Sequence, residues 1–523
     1  MKKIILLGFV ILLFVQCNSV KKQNAHYNAL IPVSKLQEDI DFTYKKLQQL
    51  HPNLYDYITK AALDYKFDSL KTTITTPLKP LGFYKKISPI VAAVRQGHLY
   101  VYAPVVQMTK KESKALLNKG IGPFSQFDFE YHNSKLYILN NKSTDSTIQV
   151  GSEVIRVNGI NTSDLITEHS NYYASDGFNT TFKTRGNKDR FTTFFTIENG
   201  IKDSLVYTLK YNDTIENHTI KRFKKETSEK KKEDVIKPKK IAIDHQKDKA
   251  LRRKKRINGY NQATKDYTRN IRFLEKDSSI AVIKIRGFKN RGYKKFYKET
   301  FEKINEYHSK NLVLDLRDNT GGRLNEINYL YSFLADTSYI FLDKTQVVSK
   351  SSIIAGDYLD KVPFLFKAVK TIVFPLSYTY SFITTHKDTK GNYYQKLMCR
   401  EQKIKKNAFT SKIYVLINGK SFSASSIIAS NLKGSNRATF VGEETGGDYN
   451  GTVAGIMPNI ELPNSDLKIR MGLMHIVPHY KTTTIGHGIY PDKEIIPTLN
   501  DLINKKDPEM NWILNDIKKT IPK

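Results

Sequence analysis

Lys412 to Gly447 reads KIYVLINGKSFSASSIIASNLKGSNRATFVGEETGG, and this stretch decides the fold class. The apolar run Ile413 to Ile417 predicts a buried strand, and Asn418-Gly419 predicts a turn after it. A Ser-rich segment then opens a helical pattern, with Ala424, Ile427, Ile428 and Leu432 spaced to share one buried face. Gly434 stands where a helix C-cap is expected, and Ala438 to Val441 predicts the next strand. Ser423 falls at the first helical turn of this strand–turn–helix–strand unit. There a hydroxyl meets free backbone N–H groups and the positive end of a helix dipole. Acyl-transfer enzymes place a nucleophile and an oxyanion hole in such a position. A plain helix N-cap is the alternative role for the same serine.

Working outward, the segment 270–500 carries an α/β pattern. Ser279 to Ile285 predicts a strand and Tyr293 to His308 a helix. Asn311 to Leu316 predicts a second buried strand that runs into Arg317-Asp318-Asn319-Thr320-Gly321-Gly322. Strands are expected at Thr371 to Pro375 and Tyr378 to Ile383 inside an insertion, and residues 507–519 read as a closing helix within 501–523. Upstream, residues 30–118 are expected to form a helical domain, with helices at Val33 to Leu50, Leu63 to Thr73 and Leu81 to Val94. Gln96-Gly97-His98 breaks that pattern ahead of a strand at Leu99 to Val106. Residues 120–220 are expected to be strand-rich.

The chain has 523 residues and a formal net charge of +33. Lys221 to Arg256 holds 17 Lys/Arg against 6 Asp/Glu, so about a third of the excess sits in one tract. This tract lacks apolar periodicity, and 221–268 is expected to be a solvated linker. Charge alone would let it approach anionic lipid or nucleic acid. Aromatic residues are absent from Lys224 to Lys255, which argues against base stacking, and no specific nucleic-acid partner is expected. Two cysteines exclude a disulfide framework. No metal-ligand spacing or phosphate-binding loop is present, and no cofactor is expected.

Met1-Lys2-Lys3 precedes an apolar run of 12 residues, Ile4 to Val15, too short to span a bilayer comfortably and suited to a signal peptide. Leu13-Phe14-Val15-Gln16-Cys17 resembles a bacterial lipoprotein signal, although Gln16 replaces the usual small residue. That resemblance implies removal of the leader within 1–17, lipidation at Cys17, a membrane partner through the lipid, and a place in the bacterial cell envelope.

Three ordered segments resemble the tail-specific (C-terminal) processing and tricorn-like serine peptidases. They are Leu314 to Gly322, then Ser423-Ala424-Ser425 with Val441 to Gly447, then Gly488-Ile489-Tyr490-Pro491-Asp492. Gly151 to Gly159 resembles a strand and turn of PDZ domains, which also precede the core in that family. The resemblance implies a multidomain α+β protein: a helical N-terminal cap, a PDZ-like β domain and an α/β (ClpP/crotonase-like) peptidase core. It implies a peptide or protein substrate and Ser423 as nucleophile. The amide of Ala424, with one from Gly321 or Gly322, would form the oxyanion hole.

One departure bears on mechanism. The processing peptidases take a Lys base shortly after the Glu-x-Thr-x-Gly segment, and Asp448 occupies that place here. The tricorn-like branch takes a His from a preceding domain, in a Gly-His segment that matches Gly97-His98. His98 is therefore the expected base, with Glu443, Asp448 and Asp492 as candidates to orient it. The missing Lys, Gln96 in place of that branch's Asp, Tyr490 in place of its Glu, and the PDZ-like module also suit a peptide-binding protein on this fold without catalysis.

Overall fold

The computed structural model describes residues 20–224, 245–289, 291–354 and 379–520. The leader and Cys17 lie outside the described residues, as do 225–244 of the basic tract and the strand expected at 371–375.

A short helix at Val20–Asn28 leads into three longer ones, α1 (Val33–Leu50), α2 (Lys60–Thr73) and α3 (Pro80–Ala92). Leu36, Ile40, Leu47 and Leu50 recur on one face of α1, as its periodicity predicts. Thr59 caps α2 through the amide of Ala62, and Pro80 starts α3 where a missing N–H costs nothing. The expected strand after His98 is only two residues long, β1 (Tyr100–Val101).

Strands β2 (Phe127–His132), β3 (Lys135–Asn141), β4 (Glu153–Val157), β5 (Ser204–Tyr211) and β6 (Thr214–Lys221) form an antiparallel sheet in that order. Its core is separate from that of the rest of the molecule, centred on Leu136, Ile138, Phe191, Phe195 and Tyr207. Two helices intervene that the sequence does not announce, α4 (Thr162–Ser170) and α5 (Thr181–Asn199). In α5 the β-prone Thr and Phe residues adopt helix because Phe191 and Phe195 bury against the sheet, so tertiary packing outweighs propensity. The basic tract also differs from expectation: His245–Asn258 is a helix, α6, with most of its cations in solvent.

The remaining chain builds a six-stranded sheet from β7 (Arg269–Leu274), β8 (Ile280–Ile285), β9 (Asn311–Asp315), β10 (Lys412–Ile417), β11 (Thr439–Gly442) and β12 (Lys493–Glu494). Only β7 runs antiparallel to its neighbour. Helix α7 (Tyr293–Glu306) links β8 to β9, and α8 (Ala424–Gly434) links β10 to β11. Both faces of the sheet are covered, which explains the unbroken apolar run of β10. Ile413, Val415 and Ile417 join the main core, whereas Tyr414 and Leu416 pack with Met510, Ile513 and Ile517 of the final helix, α9 (Pro508–Thr520). Residues 379–384 are helical where a strand was expected at Tyr378 to Ile383.

The apolar faces of α1 to α3 belong to the same continuous core as the sheet. Packing of this kind fixes the Gly97-His98 turn against the ends of the strands. No helix among the described residues is long and apolar enough to cross a membrane.

Candidate active site

The carboxyl ends of β9 and β10 lie side by side, with Asp315 in register with Leu416. In open parallel sheets such ends are where ligands bind. The loops leaving the two strands are joined by specific bonds. Ser421 donates its hydroxyl to the Leu316 carbonyl at 2.8 Å, the Asp318 amide donates to Asn418 Oδ1 at 3.0 Å, and the Phe422 amide donates to the Asn319 carbonyl at 3.1 Å.

Ser423 follows directly, with φ 58° and ψ −119°. A non-glycine residue in this region costs on the order of 1–3 kcal/mol and persists only when its surroundings impose it. The hydroxyl does not cap α8, and among the described residues it has no hydrogen-bond partner. Ser423 is 9% exposed, so the group sits in a recess.

Gly321 packs on this turn: a Cβ there would lie 2.7 Å from the Phe422 carbonyl and 2.9 Å from Ser423 Cβ. Its φ is +97°, and only glycine meets both demands. The two glycines differ in their amides. Gly321 N–H donates to Asn319 Oδ1 at 2.9 Å, so it is already used. The Gly321 carbonyl accepts from Phe288 N–H at 2.9 Å. In a planar trans peptide the Gly322 N–H therefore points the opposite way. Among the described residues neither it nor the Ala424 N–H has a partner. A Cβ on Gly321 would lie 2.8 Å from the Ala424 nitrogen, which places the two loops in contact at the helix N-terminus.

The third ordered motif joins the same place. Ile489 N–H donates to Thr445 Oγ1 at 2.8 Å, and Thr445 N–H donates to the Ile489 carbonyl at 3.2 Å. Gly447 lies so close that a Cβ would be 3.1 Å from the Ser423 nitrogen.

His98 reaches this region from the helical part. Gln96 to Leu99 is a turn closed by Leu99 N–H to the Gln96 carbonyl at 2.9 Å. The imidazole centroid is 4.8 Å from that of Phe422, the residue before Ser423. Gly97 permits this approach, since a Cβ there would lie 2.6 Å from Phe422 Cζ. Burial, and then the charge of Arg470, pushes the imidazole pKa down to about 4, so the ring is neutral at pH 7. Among the described residues its Nε2 is enclosed without a partner, and no hydrogen bond joins His98 to Ser423.

The three candidate orienting carboxylates bond elsewhere. Glu443 accepts from Arg185 Nε at 2.8 Å and Gly419 N–H at 3.0 Å. Asp492 accepts from Phe440 N–H at 2.8 Å and pairs with Lys433. Asp448 accepts from the Tyr57 hydroxyl at 2.7 Å, and burial pushes its carboxyl up.

A fourth carboxylate, which sequence reading passed over, lies closer to the histidine turn. Asp176 Oδ1 accepts from Gly97 N–H at 2.7 Å. The side chain is buried, and its pKa is pushed up to about 7 by burial and by the charge of Asp448. Phe422 was missed as well; its ring stacks on Phe182 of α5 at 4.2 Å. Only the Ser-Asp-Gly turn signal at 175–177 marked this region in the sequence. No cluster of three or more metal-ligating side chains occurs among the described residues.

Residues 279–495 match the model of Peptidase family S41. This part of the chain belongs to that family. The match makes the domain a serine peptidase domain, with a peptide or protein as substrate. The whole fold is similar to that of mature CPAF, at 15% identity over 94% of this chain and 97% of that one, with a TM-score of 0.58. It is equally similar to mature CPAF complexed with lactacystin, at 15% identity over 94% and 98% of the two chains and a TM-score of 0.58. At that identity the likeness is one of fold. A search of curated proteins gave no match.

Proposed function

We propose that this protein is a serine endopeptidase that cleaves peptides or protein C-terminal tails through a Ser423 acyl-enzyme. Ser423 Oγ attacks the scissile carbonyl, and His98 takes its proton on a ring nitrogen. The Ala424 and Gly322 N–H groups receive the oxyanion. The carbonyl re-forms as the C–N bond breaks, and the His98 proton leaves with the amine. Water then attacks the ester by the same route. The observation that carries this reading is the uncapped Ser423 hydroxyl beside two unpartnered amides. Such preorganised donors are worth roughly 10²–10³ in rate each.

Replacing Ser423 with Ala should abolish cleavage of unfolded protein and labelling by a fluorophosphonate probe; retained activity sinks the assignment. His98→Ala should cost at least about 10³-fold in kcat/KM. With His98 active in its neutral form, activity falls as pH drops through the histidine pKa. The acid limb of kcat/KM should therefore lie near pH 4. A limb at 6.5 would mean another base.

A second reading, a peptide-binding protein without catalysis, draws on the absence of any hydrogen bond between His98 and Ser423 or a carboxylate among the described residues. Peptide binding without probe labelling would favour it. We also propose that the antiparallel sheet of 127–221 is a PDZ-like module that holds peptide tails, and that lipid on Cys17 tethers the chain to the cell envelope. Metabolic labelling with a palmitate analogue, lost in Cys17→Ala, tests the anchor.

A further inference from the structure

Arg269 opens β7 and is fully buried. All four hydrogens of its terminal nitrogens are used. Nη1 donates to the Lys289 carbonyl at 2.9 Å and to Glu326 Oε1 at 2.8 Å. Nη2 donates to the Ile257 and Arg291 carbonyls, both at 3.1 Å. Among the described residues no main-chain N–H serves the Lys289 or Arg291 carbonyl, so both depend on the guanidinium. Glu326 is fully buried too, and its Oε1 also accepts from the Tyr297 hydroxyl at 3.1 Å.

Both arms of this fork end next to the Gly321–Gly322 peptide. Phe288, one residue before Lys289, donates its N–H to the Gly321 carbonyl and accepts from Arg323 N–H, each at 2.9 Å. Its carbonyl lies so close that a Cβ on Gly322 would come within 2.1 Å of it. Glu326 stands in the first turn of the helix Leu324–Tyr331, which begins two residues after Gly322. Arg269 therefore ties the segment on one side of the peptide to the helix on the other. The bond from Phe288 holds the Gly321 carbonyl, and the Gly322 N–H is turned the opposite way as a result. A buried ion pair adds little stability that well-packed apolar side chains would not supply. What they cannot supply is a planar fork that fixes three carbonyls at once, and the point charge of a lysine cannot span them either.

We infer that Arg269 is a positioning residue for the oxyanion hole, holding Lys289 and Arg291 to the Leu324–Tyr331 helix so that the Gly322 N–H is aimed before substrate binds. This rests on the reading of Ser423 as nucleophile and Gly322 as a donor. Arg269 is enclosed and does not touch substrate, so its loss acts on turnover and not on binding of the peptide chain.

The test compares full-length wild type with Arg269→Lys, Arg269→Met and Glu326→Gln on a fluorogenic peptide. Active sites are titrated to completion with a fluorophosphonate, and rates are taken well below each Tm. Arg269→Lys keeps the charge and loses the fork. Its kcat should fall by at least about tenfold, with KM within about twofold of wild type. Inhibition by the matching peptide aldehyde should weaken by the same factor, because the aldehyde oxygen enters the oxyanion hole when Ser423 adds to it. Arg269→Met should do the same with a larger loss of Tm. A clamp that serves only the fold would lower Tm and leave kcat per active site and aldehyde inhibition unchanged, and that result overturns the inference. A rise in KM alone overturns it as well. If neither Arg269 variant folds, Glu326→Gln decides. It keeps the size and the Tyr297 bond, weakens one arm, and should lower kcat about threefold; an unchanged kcat overturns the inference. Wild-type protein that neither cleaves nor reacts with the fluorophosphonate overturns the peptidase reading and this one with it. An active wild type matched by its variants overturns this one alone.

Discussion

The two halves of the candidate site are held by different means. On the sheet side, Ser423, Gly321 and Gly322 sit in loops stitched by main-chain and amide bonds at the ends of adjacent parallel strands. On the helical side, the His98 ring has no hydrogen bond among the described residues and owes its place to contacts with Phe422 and to a turn anchored by Asp176. Directional bonds fix atoms to within tenths of an ångström, whereas a packed ring keeps some freedom. In the mechanism proposed above, Ser423 is thus set before substrate arrives, and His98 completes its alignment when a peptide fills the recess. Apo geometry of this loose kind is common in enzymes whose catalytic bonds tighten on binding.

Breaking the sheet side should have the larger effect. Gly322→Ala would put a Cβ 2.1 Å from the Phe288 carbonyl at a φ of +146°, so the loop must move. Loss of that amide should cut kcat/KM by about 100-fold or more and lower Tm, both read on purified protein. Gly97→Ala acts on the helical side, where the clash is with Phe422 Cζ at 2.6 Å. A ring can yield more easily than backbone, so kcat should fall by about tenfold with little change in Tm. If Gly97→Ala proves the more damaging of the two, the contrast between the halves is reversed.

The smallest effect sharpens the role of Asp176. Its folded pKa is raised, so the folded state favours the protonated acid. Below pH 3.8 both folded and unfolded forms are protonated and nothing is lost. Stability then falls as pH rises from 3.8 to about 7, and the cost stays constant above that. Asp176→Asn keeps an acceptor for Gly97 N–H and removes the buried charge. Its Tm should exceed that of wild type by a few degrees at pH 8 and match it near pH 4. An equal Tm at pH 8 would mean that the carboxylate is solvated or paired there.

Much of the sheet side was legible because it is written locally. The run Ile413 to Ile417, the Gly-Gly pair and the Ser-rich helix start each encode a backbone conformation within a few residues. Their order also carried the family resemblance. What escaped depends on partners far along the chain. Asn319 takes the Gly321 amide from two residues away, but its side chain is held in that pose by the Ile285 carbonyl, 34 positions upstream, and this leaves Gly322 as the free donor. Asp176 gains significance only when Gly97, 79 positions away, closes on it. Helix α5 escaped because its Thr- and Phe-rich sequence favours strand until the neighbouring sheet supplies a surface. The pull on His98 by Arg470 likewise arises only across the β1 pairing.

Asn319 is fully buried, donating its amide to the Ile285 carbonyl at 3.0 Å while its oxygen holds the Gly321 N–H. A carboxamide does both jobs without carrying a proton that water can remove or add. The bend that exposes the Gly322 N–H is therefore deaf to acidity, and so is its neighbour hook, the Ser421 hydroxyl. Within the recess, the response to pH therefore falls to the side that holds His98 and Asp176.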